Sequence, residues 1–271
     1  MKYFKMNNGI EIPVIGIGTN SFGKEGSVFD GEINYDTTEL ISAIDNGYRL
    51  IDTAILYRNE AVIGKAVSES SVAREDFFIT SKIPGRKEEI ESDELIHKNV
   101  QFSLSELGMD YLDLYLIHQP LENNEDNLRV WRILEEYVDN KQIRSIGVSN
   151  FNNEQLAYLL EYALIKPVIN QIESHPDNWQ DDLIEFCLAN DVIPEAWGPL
   201  KRISEESMDK LMEIANKYNK SWAQVVLNYQ INRGVLVIPK SHNATRQKEN
   251  LDIFDFELTS EEKETLAMMK R

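Results

Sequence analysis

The chain holds one cysteine, Cys187, among 271 residues, so no intramolecular disulfide is available and the disulfide-stapled secreted folds are excluded. A reducing, cytoplasmic setting is the expectation. Long apolar runs are also missing. No window approaches the roughly 18 uninterrupted apolar residues of a membrane span, and the segment from Met1 to Gly9 has two lysines but no apolar run of signal-peptide length. Neither a membrane partner nor export is expected. Positive charge is scarce: 28 Lys and Arg stand against 46 Asp and Glu, a formal net charge of −18, and such a surface repels nucleic acid.

Several chemical signatures are absent as well. There is no P-loop, HExxH, EF-hand loop or paired CxxC, and His97, His118, His175 and His242 lack metal-ligand spacing, so no metal site is expected. Ser149 lies in Gly147-Val-Ser-Asn-Phe151 rather than in the GxSxG of a nucleophile elbow. Gly16-Ile-Gly18 begins like a dinucleotide fingerprint, but Ser21 stands at the third glycine position and no helical pattern opens there, which argues against a Rossmann unit.

What is present is enough apolar material for a large core, 42% of residues with 9% aromatic, and no Pro/Gly/Ser-rich linker to divide it. A single domain over residues 1–271 is expected. Eight β-rich runs recur: Pro13 to Thr19, Tyr48 to Ala54, Phe77 to Ile83, Tyr111 to Gln119, Arg144 to Asn150, Pro167 to Glu173, Asp191 to Trp197 and Gly234 to Lys240. Helical patterns lie between them. Ile96, Val100, Leu104 and Leu107 form one stripe before Gly108, and Leu128, Trp131, Leu134 and Val138 form a second. Asp36-Thr-Thr-Glu39, Ser221-Trp-Ala-Gln224 and Thr259-Ser-Glu-Glu262 have capping-box spacing, and Asn46-Gly47 reads as a helix stop. Near-continuous apolar strands alternating with helices predict an α/β protein with a parallel sheet, and eight units in this length match a closed (β/α)8 TIM barrel. An open doubly wound sheet is the alternative. Asn7-Asn8-Gly9 between Phe4 to Met6 and Ile10 to Ile12 predicts an N-terminal β-hairpin closing the barrel bottom.

Polar residues at strand ends carry the functional signal. Asp52, Lys82 and His118 each follow an apolar β-run, and Tyr57 comes just after the second strand. The C-terminal strand ends of a barrel surround its active site, so these four side chains could converge on one pocket. Alternatively, Asp52 and Lys82 make an interior ion pair, His118 is a hydrogen-bonded core histidine and Tyr57 packs at the rim.

Gly47-Tyr-Arg-Leu-Ile-Asp-Thr-Ala54 with Tyr57 and Asn59-Glu60, Thr80-Ser-Lys82, Asp113-Leu-Tyr-Leu-Ile-His-Gln-Pro120, Gly147-Val-Ser-Asn-Phe151, Asn170-Gln-Ile-Glu173, Ala196-Trp-Gly-Pro-Leu200 and Ile238-Pro-Lys-Ser241 together resemble the aldo-keto reductases, in family order over nearly the whole chain. The likeness is greatest to short bacterial members such as glyoxal, methylglyoxal and 2,5-diketogluconate reductases. The resemblance implies a (β/α)8 barrel that uses NADP(H) to reduce small aldehydes and ketones, with Asp52, Tyr57, Lys82 and His118 as catalytic residues. Tyr57 would be the general acid, Lys82 would lower its pKa, Asp52 would hold Lys82, and His118 would orient the carbonyl. The resemblance further implies that Ser149, Asn150 and Gln171 hold the carboxamide and that Trp197 lies against the nicotinamide ring. Gly198 and Leu200 would belong to a loop covering the pyrophosphate, and Thr19 and Asp52 would also contact the cofactor. Lys240, Ser241, His242, Asn243 and Arg246 would surround the adenosine phosphate, and Glu249 and Asn250 would meet adenine on a short helix running from Thr245 to Asn250. A solvated basic cluster is the alternative reading of that last segment.

Departures from the family pattern bear on substrate choice. Ile83-Pro-Gly-Arg86 stands where relatives put a pocket-lining aromatic, Gln119 replaces a frequent tryptophan, Asn243 replaces a usual threonine, and only Lys270-Arg271 follow the last helical pattern. An open pocket, a small carbonyl substrate and a monomer or weak homo-oligomer are expected. A barrel that binds nicotinamide nucleotide as a non-catalytic regulatory or scaffolding subunit is the rival to a reductase.

Overall fold

A computed structural model describes residues 1–269, with Lys270 and Arg271 lying outside the described residues. A two-stranded antiparallel hairpin, β1 (Tyr3–Lys5) and β2 (Glu11–Pro13), comes first. Eight parallel strands follow: β3 (Gly16–Gly18), β4 (Leu50–Asp52), β5 (Phe78–Ile83), β6 (Leu114–Ile117), β7 (Ile146–Ser149), β8 (Ile169–Glu173), β9 (Ile193–Trp197) and β10 (Leu236–Ile238). They pair in chain order, and a parallel bridge between Ile15 and Val237 brings the last strand back to the first. The sheet is therefore a barrel rather than an open doubly wound sheet. Helices α1 (Thr38–Asn46), α2 (Glu60–Glu69), α3 (Asp93–Leu107), α4 (Asn124–Asp139), α5 (Asn153–Tyr162), α6 (Asp181–Ala189), α7 (Glu205–Tyr218), α8 (Trp222–Asn232), α9 (Ala244–Leu251) and α10 (Ser260–Ala267) surround it. No helix among the described residues is long and apolar enough to cross a membrane.

Local chemistry explains where the helices start and stop. Ser221 and Thr259 cap α8 and α10 through reciprocal bonds with Gln224 and Glu262. Gly47 and Gly108, both left-handed, end α1 and α3. The capping box expected at Asp36-Glu39 does not form. Thr37 is the N-cap without a side-chain bond, Asp36 accepts from the Thr38 amide at 2.9 Å, and the Glu39 carboxylate is taken by His242. The α4 face is also broader than the expected stripe: Val130, Trp131, Ile133, Leu134 and Tyr137 are buried, while Leu128 and Val138 are only half-buried.

Strand alternation divides the barrel interior into two chemistries. Leu50, Phe78, Leu114, Ile169, Ile193 and Leu236 fill its lower part, sealed by Met6 and Ile12 from the hairpin. Gly9 (φ 86°) makes the hairpin turn, and Asn7 and Asn8 tie it to the Pro167 carbonyl and the Ser145 hydroxyl, each at 2.9 Å. Fully burying each such apolar side chain contributes roughly 1.5–3 kcal/mol. Two residues further along the inward-facing rows, the interior turns polar, with Asp52 above Leu50, Gln171 above Ile169 and Glu195 above Ile193, all buried.

Candidate active site

The polar layer is organised around one buried cation. The Lys82 ammonium donates to both Asp52 carboxylate oxygens, at 2.8 and 2.7 Å, to the Thr53 carbonyl at 2.8 Å, and approaches the Tyr57 hydroxyl at 3.4 Å. Asp52 ends β4 and Lys82 stands near the end of β5, so neighbouring strands deliver the pair. Tyr57 comes from a 3-10 turn, Ile55–Tyr57, that ends at Arg58 in the left-handed region. Asn59 pins that turn: its amide donates to the carbonyls of Thr19 (2.7 Å) and Phe22 (3.2 Å), and it accepts from the Thr53 hydroxyl (2.9 Å). His118, next after β6, presents its ring edge-on to Tyr57 with centroids 5.5 Å apart. Its backbone amide is held by the Ile83 carbonyl and its backbone carbonyl by Asn150.

Burial sets the proton affinities here. It pushes the Tyr57 phenol upward, and the Lys82 charge, which opposes this, is the smaller effect. Lys82 does lower the phenol, as its charge dictates, but the net direction is upward and the proton stays on oxygen. Burial, then Lys82 and Arg86, pushes His118 down to about 3, so its imidazole is neutral. Lys82 itself is held charged: burial works against it, but the charge and hydrogen bonds of Asp52, with Tyr57, prevail.

Asp52, Tyr57 and His118 face a cavity of about 320 Å³ lined also by Thr19, Ser149, Asn150, Gln171, Trp197, Gly198, Leu200, Lys201 and Lys240, with Lys82 buried behind it. Asn150, in a left-handed conformation (φ 62°), accepts from the Trp197 indole at 2.9 Å and donates to the Ser149 hydroxyl at 3.0 Å. Gln171 Nε2 is fully used on Asp52 (2.9 Å) and Glu195 (2.7 Å), and among the described residues no hydrogen bond uses its carbonyl Oε1. An amide acceptor, an indole and two cations, Lys201 and Lys240, suit a nicotinamide, its ring and its phosphates in turn, so the donor set fits such a nucleotide.

The remaining expected cofactor residues lie outside that cavity. Asn243 caps α9 by accepting from the Arg246 amide at 3.0 Å, and Ser241 bonds the Asn243 backbone. Arg246 and Glu249 are exposed. His242 is half-buried between Ser21 and Glu39, and Lys240 donates to Ser21 at 2.8 Å. Asn250 is buried, with its side chain at the Tyr48 hydroxyl. Three further neighbours stand out in the structure. Glu195 and Glu60 are buried carboxyls, Glu60 being pushed up to about 7 by burial, and Phe29 stands edge-on to Tyr57 at 6.1 Å. Glu195 interrupts an apolar strand as Asp52 does, a signal available from the sequence, whereas Phe29 sits in a loop without periodicity.

A model of the aldo/keto reductase family matches residues 14–270. The glyoxal reductase of Bacillus subtilis (strain 168) is 41% identical over 268 residues, covering 98% of this chain and 92% of that protein. A solved aldo/keto reductase from Brucella melitensis superposes with a TM-score of 0.90 at 37% identity, covering 99% of each chain. A Bombyx mori aldo-keto reductase solved in complex with NADP gives a TM-score of 0.88 at 34% identity over 99% of this chain and 92% of that one.

Proposed function

The chain belongs to the aldo/keto reductase family and is an NADP-linked oxidoreductase, and from that premise we propose that it reduces small aldehydes and ketones, dicarbonyls among them, with Tyr57 as general acid. The observation that carries the reading is the Lys82 ammonium, fixed on Asp52 and 3.4 Å from the Tyr57 hydroxyl, directly behind a cavity lined by Asp52, Tyr57, His118, Gln171 and Trp197. When bound, NADPH supplies hydride to the carbonyl carbon. Tyr57 gives its proton to the carbonyl oxygen as negative charge develops there, and Lys82 stabilises the phenolate left behind. Asp52 keeps the ammonium in place and neutralises it in the dry interior. Neutral His118 orients the carbonyl oxygen toward the phenol. Ser149, Asn150 and Gln171 would hold the carboxamide, Trp197 the ring, Gly198 and Leu200 the pyrophosphate, and Lys240, Ser241 and Arg246 the 2′-phosphate, which favours NADPH over NADH.

The test is NADPH oxidation by purified protein against methylglyoxal, glyoxal, phenylglyoxal and 4-nitrobenzaldehyde, in wild type and Tyr57→Phe. Turnover in wild type and a fall of about 10²-fold or more in kcat for the variant, with NADPH affinity retained, is the expected result. Cofactor binding without turnover of any carbonyl would favour a non-catalytic nucleotide-binding role instead.

A further inference from the structure

Glu195 stands in the middle of β9 and is fully buried, on the inward-facing row between Ile193 and Trp197. It is registered against Gln171 on β8 and Leu236 on β10. Its Oε2 accepts from Gln171 Nε2 at 2.7 Å, and the same nitrogen donates to Asp52 Oδ2 at 2.9 Å, while Glu195 Oε1 is buried with no hydrogen-bond partner among the described residues. One amide nitrogen is thus clamped between two buried carboxyls. The groups that face Glu195 are Asp52 from β4, Lys82 from β5, Gln171 from β8 and Tyr57 from the turn after β4, and β10 contributes only the apolar Leu236, Val237 and Ile238. Among the described residues Lys82 is the cation of this cluster, and Asp52 already holds it with two hydrogen bonds. A second anion there would be uncompensated in a site closed to water, which strongly favours the neutral acid.

We propose that Glu195 is a positioning residue of the reduction, protonated in the working enzyme: its neutral carboxyl fixes Gln171 and leaves the charge of Lys82 free to act on Tyr57. The proposal rests on the reading of Tyr57 as general acid. When Glu195 ionises, its negative charge opposes Lys82 and makes the Tyr57 phenol a weaker acid, so reduction slows on the alkaline side of neutrality before Tyr57 itself loses its proton. Burial and then the charge of Asp52 raise Glu195 in that direction, and Glu195 is among the charges that raise Tyr57.

The experiment is the pH profile of kcat for reduction at saturating NADPH and methylglyoxal, from about pH 6 to about pH 9.5, in wild type, Glu195→Gln and Tyr57→Phe. Glu195→Gln keeps the shape and an acceptor for Gln171 but cannot ionise. Its alkaline limb is expected to move up by about one pH unit or vanish, so that the ratio of variant to wild-type kcat rises about threefold or more between neutral and alkaline pH. An alkaline limb identical to wild type would overturn the proposal while leaving Tyr57 untouched. Near-native turnover in Tyr57→Phe would instead remove the general acid, and the coupling with it. Should Glu195→Gln not fold, infrared spectra of the Glu60→Gln protein, which lacks the other carboxyl that burial raises, decide the matter: a carboxylic C=O band at neutral pH that disappears on alkalinisation is expected, and its absence at neutral pH contradicts the proposal.

Discussion

Lys82, Asp52 and Gln171 are 0%, 2% and 2% exposed and locked to one another by hydrogen bonds, whereas Asn243, Arg246 and Glu249, at the N-cap and along α9, lie exposed on the surface. The proposed chemistry end of the site is made of groups whose positions the barrel interior over-determines. The end proposed to take the nucleotide tail is built from long side chains in water, one of them, Lys240, donating to Ser21. Rigid burial suits a proton donor that must sit within tenths of an ångström of its target, and exposed cations suit recognition of a doubly charged phosphate. Substitutions at the first end should therefore act on rate and stability together, and those at the second on affinity alone.

Lys82→Met is the harshest way to break the contrast. It leaves Asp52 as a buried unpaired charge, so a loss of about 3–5 kcal/mol in denaturant unfolding is expected together with a kcat about 10²-fold lower or worse. Adding Asp52→Asn should restore much of the stability and none of the rate. Recovery of both would mean that the pair serves folding only.

Arg246→Ala is the matching change at the exposed end. Losing a charge-assisted bond worth roughly 1.5–3 kcal/mol should lower kcat/KM for NADPH by about tenfold or more and barely alter it for NADH. Unfolding stability should stay within about 0.5 kcal/mol, as for other exposed positions. Equal kcat/KM for the two nucleotides in wild type would show that the segment from Lys240 to Arg246 does not read the 2′-phosphate.

The smallest effect concerns His118, whose folded-state pKa of about 3 lies below its ordinary 6.5. The ring is already neutral near pH 7, so kcat should show no histidine limb between about pH 5 and pH 7. The same depression makes the neutral form part of the fold's stability, which is fully present above 6.5 and is lost as pH falls from there toward 3. A limb near 6.5 that disappears in His118→Asn would place a charged imidazole in the resting site.

What could be read in the sequence follows the same division. All eight strands are legible because buried parallel strands are near-continuously apolar, although only Leu114–Ile117 of the run from Tyr111 to Gln119 is strand. Asp52, Lys82 and His118 stood out as polar endings of such runs. Glu195 carries the same contrast in mid-strand, where a residue does not point toward a barrel mouth, and only the closed interior shows that it faces Gln171. Local rules failed where a distant partner intervened: Glu39 had the spacing of a capping box, but His242, 203 residues away in the chain, takes its carboxylate. Asn250 is buried against the Tyr48 hydroxyl, a pairing between α9 and the segment before β4 that no local pattern encodes.

The division of labour between the two ends can be measured in one crossed comparison. NADPH Kd by fluorescence titration and the single-turnover reduction rate with methylglyoxal are determined for wild type, Tyr57→Phe and Arg246→Ala. Tyr57→Phe should lose about 10²-fold or more in rate with Kd nearly unchanged, and Arg246→Ala should weaken Kd about tenfold with the rate at saturation nearly unchanged. Near-native single-turnover reduction by Tyr57→Phe would contradict the account at its centre.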